Sequence, residues 1–186
     1  YPLLRAREQE FEPEKRHLWS DLVRRFGYFP FPSDDHIGEY LPFMHVREFA
    51  GWKKYGHDHW FLHWDGENRR QHMWDDIEAM IDGGKSLDTL KGGSGERAIP
   101  TLLALRDNRN SYELALNIPN QGYISNLPTE CIVEVPASVS GFGVNGLSIG
   151  ALPTAIAGLC NTQVYVAELA VDAAINGDRS IALQAL

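Results

Sequence analysis

The sequence predicts an α+β fold, with helices around a small antiparallel sheet, and three observations predict it. Apolar residues recur at helical spacing as far as Arg106. The period then switches to strict alternation over Tyr112–Ile118, and it returns to helical spacing beyond Pro153. Helices, then strands, then helices is the order of segregated layers, not of a repeating βαβ sheet. A chain of 186 residues is long enough to bury a core of its own.

The first predicted helix opens at Glu12-Pro13-Glu14 and runs to Phe26. Its stripe is Trp19, Leu22, Val23 and Phe26, its first turn carries proline and two acids, and Gly27 stops it. Two prolines hold Tyr28–Pro32 extended, and Ser33-Asp34-Asp35 caps a short turn through Tyr40. Pro42 to Trp64 is aromatic and His-rich and reads as helix broken at Gly51 and Gly56. Gln71 to Ile81 is a helix with Met73, Trp74, Ile77 and Ile81 on one face, ended by Gly83-Gly84. Lys91 to Gly95 is a flexible turn, and Glu96 starts a helix to Arg106 carrying Ile99, Leu102 and Leu103.

In the first strand Tyr112, Leu114, Leu116 and Ile118 alternate with Glu113, Ala115 and Asn117, so the apolar set faces inward. Pro119 to Gly122 is turn chemistry, and Tyr123-Ile124 resumes an extended path. A second strand spans Cys131 to Val135 and a third Val144 to Ile149. Pro153 starts a long helix to Ile175, which Asn176-Gly177-Asp178 breaks before capping the last one. That last helix runs apolar to Leu186 without a stop signal, and the chain opens without Met; a piece of a longer protein is expected.

A formal charge of −8 argues against a nucleic-acid or anionic-membrane surface. No apolar run reaches the roughly 18 residues of a membrane span, and no signal peptide is legible. Cys131 and Cys160 sit in apolar surroundings and read as free thiols, so a cytoplasmic protein is expected.

Three places could carry chemistry. His57, His59 and His63, with Asp58 and Asp65, have metal-binding side chains, but the first pair shares a face only on a strand and the second only on a helix. The denser group is Asp34 to Tyr40, where His36, Glu39 and Tyr40 fall on one helical face at i, i+3 and i+4. A tyrosine beside such groups can act as a general base when its pKa is lowered, though a solvated acidic helix start would look the same. Asn117 and Asn120 place amides in a strand-to-turn segment, which suits sugar hydroxyls or a turn equally. Gly92-Gly93-Ser94-Gly95 does not follow a strand and makes no phosphate loop.

Taken in order, these segments resemble one family. Phe26-Gly-Tyr-Phe29, His36-x-x-Glu39-Tyr40-x-Pro42 and Ser94-Gly95-Glu96 are similar to the C-terminal half of the family-four glycosidases. So are Asn117-Ile-Pro-Asn120-x-Gly122-x-Ile124-x-Asn126-Leu127-Pro128, Val133–Pro136, Gly150-x-Leu152-Pro153, Glu168-Leu169 and Gly177-Asp178-Arg179. The His-x-x-Glu-Tyr form resembles the α-galactosidase, α-glucosidase and α-galacturonidase branches. The resemblance implies an exception to the two-carboxylate scheme: NAD-dependent oxidation at sugar C3, loss of the C2 proton, elimination, addition of water and return of the hydride from the nicotinamide, with a divalent metal, usually manganese, as Lewis acid.

The same resemblance implies Tyr40 as C2 base with His36 beside it, or an aspartate at this place, Asp34 or Asp35. It also implies Glu39, Asn117 and Asn120 as substrate contacts or their support. Residues 1–186 would be a substrate and oligomerisation domain of a homodimer or homotetramer. NAD and Mn2+ would be held by a Rossmann domain and its Cys and His ligands lying outside this chain, so the chain alone is expected to be inactive. The competing expectations are a stand-alone binding module and a metal hydrolase built on the three histidines.

Overall fold

The computed structural model describes residues 2–7, 17–31, 34–46, 51–55, 66–90 and 95–185. They fall into two units, Tyr1–Glu67 and Asn68–Leu186. The first unit holds α1 (Pro2–Ala6), α2 (His17–Phe26), α3 (Asp34–Glu39), α4 (Pro42–His45) and α5 (Gly51–Lys54). Leu18, Trp19, Leu22 and Val23 of α2 are buried, as are Leu41, Met44 and Tyr55, so three of the four stripe residues read from the sequence lie in this unit's core, Leu18 joins them, and Phe26 is only half-buried. Gly27 ends α2 in the left-handed region, at φ 75°, and its N–H bonds to the Val23 carbonyl. The expected start at Glu12 lies outside the described residues.

Gly51 was expected to break a helix and instead begins one. A Cβ there would lie 2.7 Å from the Met44 Cα and 2.8 Å from the Phe43 carbonyl oxygen. Helices α4 and α5 meet backbone to backbone at this point, and only glycine permits that approach.

The second unit begins at Asn68, within α6 (Gly66–Ile81). It also contains a 3₁₀ turn at Leu87–Leu90, α7 (Ala98–Asp107), β1 (Ser111–Pro119), β2 (Ile132–Ser140), β3 (Gly143–Gly146), α8 (Thr154–Asn176) and α9 (Arg179–Gln184). The strands form an antiparallel meander in the order β1-β2-β3. Val133, Val135, Ala137 and Val139 of β2 are buried along one face of the sheet. At the far end Gly177 takes φ 64° and the Asp178 carboxylate accepts from the Ser180 N–H, so the break and cap stand where the sequence puts them.

The inward face of β1 is not the one expected. Glu113 stands opposite Ala137, whereas Leu116 stands opposite Val135, so one extra residue is inserted between them. This β-bulge inverts the phase of a period-two pattern. Leu116 and Ile118 keep the core side, but before the bulge it is Glu113 that turns inward, at 2% exposure, while Tyr112 and Leu114 are 56% and 79% exposed.

The bulge also explains why β2 runs five residues past its expected end at Val135. Pro136 would ordinarily exclude a central strand, because it has no N–H to give the ladder. Here it falls opposite the bulge, between the paired residues Val135 and Ala137, and its carbonyl accepts from the Leu147 N–H. β3 ends early for a related reason. Beyond Gly146 the chain turns toward residues 123–124, with the Ile149 N–H on the Tyr123 carbonyl and a bridge between Ile124 and Gly150. Helix α7 starts two residues later than expected, and Ile99 and Leu102 are exposed while Ala104 is buried. The face of α6 carrying Met73, Trp74 and Ile81 is exposed as well.

Candidate functional site

The first unit gathers the residues of the densest sequence group. Asp34 begins α3, yet its carboxylate serves another helix: Oδ2 accepts from the Leu18 N–H at 3.1 Å and Oδ1 from the Trp19 N–H at 3.0 Å. Both donors lie in the first described turn of α2, where a buried carboxylate meets the two N–H groups and the helix dipole. Asp34 thus fastens α3 to α2. Trp19 adds a second tie, since its indole N–H donates to the Pro30 carbonyl and its ring stacks on Phe29 at 5.2 Å.

On this anchored turn, His36 Nδ1 lies 3.8 Å from Glu39 Oε2, the i, i+3 pair anticipated from spacing. Both are partly exposed. Tyr40 follows in the closing turn, where its N–H bonds to the Ile37 carbonyl at 3.1 Å, and its side chain is 57% exposed. An imidazole, a carboxylate and a phenol are therefore presented to solvent from a short helix whose base is fixed. Such a set can bind sugar hydroxyls and move a proton.

In the second unit, Asn117 is exposed on β1 opposite Glu134. Asn120 differs. It is fully buried, its amide donates to the carbonyls of Ile124, Leu127 and Pro128, and its Oδ1 accepts from the Ile124 N–H. Its side chain is fully taken up inside the protein, where it folds the 121–128 loop around itself, the arrangement of a supporting residue, one of the two roles expected of it.

Two couplings between elements gave no signal in the sequence. Asp34 was legible as a cap, but of its own helix. The pairing of Arg97 with Glu113, which lie on different elements, has no local pattern at all.

Among the described residues no group of three or more His, Cys, Asp or Glu could hold a metal ion. His57, His59 and His63 lie outside the described residues. One glycine run, Gly141-Phe142-Gly143-Val144-Asn145-Gly146, does have the G-x-G-x-x-G spacing of a dinucleotide loop. It is the antiparallel hairpin between β2 and β3. A phosphate cradle needs a helix N-terminus after the strand, and none follows here. The described residues fit neither group. No described helix is long and apolar enough to cross a membrane.

Comparison with known proteins gives a consistent result. The family model described as "Family 4 glycosyl hydrolase C-terminal domain" matches residues 1–186. The chain is 33% identical over 172 residues to an alpha-galactosidase of Rhizobium meliloti (strain 1021), covering 89% of this chain and 35% of that protein. It is 29% identical over 166 residues to an alpha-galacturonidase of Bacillus subtilis (strain 168), with the same two coverages. Among solved structures, a 6-phospho-alpha-glucosidase from gut microorganisms in complex with NAD and Mn2+ superposes with a TM-score of 0.63 at 22% identity, over 92% of this chain and 38% of that one. The chain therefore spans about a third of the length of the curated relatives it matches.

Proposed function

We propose a function from one premise: the chain belongs to the family 4 glycosyl hydrolases, as their C-terminal domain. The protein that carries it cleaves α-glycosides, of the galactoside, galacturonide or glucoside class. The route is oxidation at sugar C3, removal of the C2 proton, elimination, addition of water, and return of the hydride to C3, so that the cleavage is redox-neutral overall. The oxidising and Lewis-acid groups of that route, NAD and a divalent cation such as Mn2+, are assigned to residues outside those described.

What this chain contributes is the base and part of the sugar site. The observation that carries the reading is the exposed His36, Glu39 and Tyr40 set on a helix anchored by the buried Asp34. Tyr40 takes the C2 proton, His36 and Glu39 hold hydroxyls and the phenol's surroundings, and Asn117 offers a further amide. Asp34 is disfavoured as the base, because its carboxylate already closes the start of α2.

Exposed apolar side chains of the second unit, among them Met73, Trp74, Tyr165, Val171 and Ile175, support surfaces that are covered in the whole protein by its cofactor domain or a second subunit. We place the protein in the cytoplasm, where two unpaired thiols persist.

The test is turnover of nitrophenyl α-galactoside, α-galacturonide and α-glucoside by the full-length protein with NAD+ and Mn2+ in D2O. Cleavage should leave deuterium at C2 of the released sugar, and Tyr40→Phe should lower turnover by about a hundredfold or more. Cleavage without deuterium at C2 would point to a two-carboxylate hydrolase and sink the mechanism.

A further inference from the structure

We propose that His45 and Trp52 are positioning residues for Tyr40, gripping the end of α3 from one side; this rests on the reading of Tyr40 as the base. The grip begins at Gly38, two residues before the tyrosine. A Cβ at Gly38 would lie 3.1 Å from Trp52 Cη2 and Cζ3 and 3.3 Å from the Met44 terminal methyl. The indole of α5 therefore rests on the bare Cα of α3, and a larger residue would push the two apart.

Trp52 in turn meets the His45 ring edge-on, with centroids 5.4 Å apart and planes at 73°. His45 Nε2 lies 3.0 Å from the Glu39 carbonyl oxygen. A carbonyl can only accept, so this nitrogen carries the proton and donates. The Glu39 carbonyl closes the peptide that leads into Tyr40, and it belongs to the last turn, where helical carbonyls lack partners of their own. The remaining freedom of that turn is taken up by two short-range bonds, Tyr40 N–H to Ile37 O at 3.1 Å and Leu41 N–H to Gly38 O at 3.3 Å.

The peptide planes on which the Tyr40 side chain is mounted are thus set by residues of α4 and α5. The two gripping residues are placed to act through Tyr40. A base moved by a fraction of an ångström loses turnover more than it loses substrate affinity.

The experiment compares His45→Leu, His45→Gln and Tyr40→Phe in the full-length enzyme with NAD+ and Mn2+. His45 is exposed, so these changes leave the core of the unit intact. His45→Leu should lower kcat about tenfold to a hundredfold while KM moves little. His45→Gln should recover most of that loss, because its amide can donate to the same carbonyl. Amide hydrogen exchange should show Tyr40 and Leu41 exchanging faster in His45→Leu and parental in His45→Gln, with α2 unchanged in both. A parental kcat in His45→Leu beside an inactive Tyr40→Phe would overturn the positioning role alone. Full activity in Tyr40→Phe would overturn the reading of the base, and the positioning role with it.

Discussion

Arg97 and Glu113, 16 residues apart, face each other side-on: Nε donates to Oε2 at 2.8 Å and Nη2 to Oε1 at 3.0 Å. The carboxylate is buried on the core side of β1, and the guanidinium reaches it from the residue before α7 while staying half-exposed. Two parallel bonds fix both distance and plane, which a lysine could not reproduce. This pair ties the start of α7 to the sheet, and the bulge in β1 is what turns Glu113 inward to meet it.

The pair makes stability depend on pH in a defined direction. Bonding to Arg97 holds the Glu113 carboxyl below its ordinary value of 4.5. Between the two values the unfolded chain binds more protons than the folded one, so stability rises with pH there. The contribution is fully present above 4.5 and is lost as pH falls through the lower, folded value. Glu113→Gln should melt several degrees lower than the parent near neutral pH, and the gap should close in acid. Parallel melting curves across that range would mean the pair is neutral to folding.

Asn120 should be worth more to stability than any other amide in the described sheet region. Asn120→Ala removes four hydrogen bonds, those to the carbonyls of Ile124, Leu127 and Pro128 and to the Ile124 N–H, a loss of about 3 kcal/mol by urea unfolding. Asn120→Asp should be worse, since a carboxylate oxygen would then face the carbonyls of Ile124, Leu127 and Pro128. If Asn120→Ala costs well under 1 kcal/mol, other contacts hold the loop.

Asp34 tests whether a cap can come from another helix. Asp34→Ala should cost about 1 kcal/mol, the loss usual for an N-cap, and amide exchange should rise at Leu18 and Trp19. Asp34→Asn keeps one acceptor and should lose less. A variant of unchanged stability but abolished turnover would instead make Asp34 part of the chemistry.

The two thiols should be slow to react. Burial raises the pKa of Cys160, and it is the main cause of the same rise at Cys131, where Glu168 and the other cysteine add to it. Both stay protonated near neutral pH, and the thiolate is the nucleophile. Iodoacetamide should label neither at the rate of an exposed cysteine, and full labelling should follow only after denaturant is added. Rapid labelling of the native chain would contradict the burial.

Local chemistry determined much of this protein. The stripe of α2, the stop at Gly27, the break and cap at Gly177-Asp178 and the placing of His36 and Glu39 within one turn all depend on residues within four positions of each other. Sequence spacing encodes such features directly. Tertiary structure alone decided the rest. A bulge cannot be counted from one strand, because it exists only as a mismatch with the partner, and so the inward Glu113, the exposed Leu114 and the tolerance of Pro136 followed from β2. In the same way Asp34 reads as the cap of α3 until α2 is beside it, and Gly51 reads as a breaker until the α4 backbone occupies the space a side chain would need; nothing in the sequence marks that Trp52 fills the same space at Gly38. Spacing along a chain carries the contacts within one element; contacts between elements have no spacing to carry them.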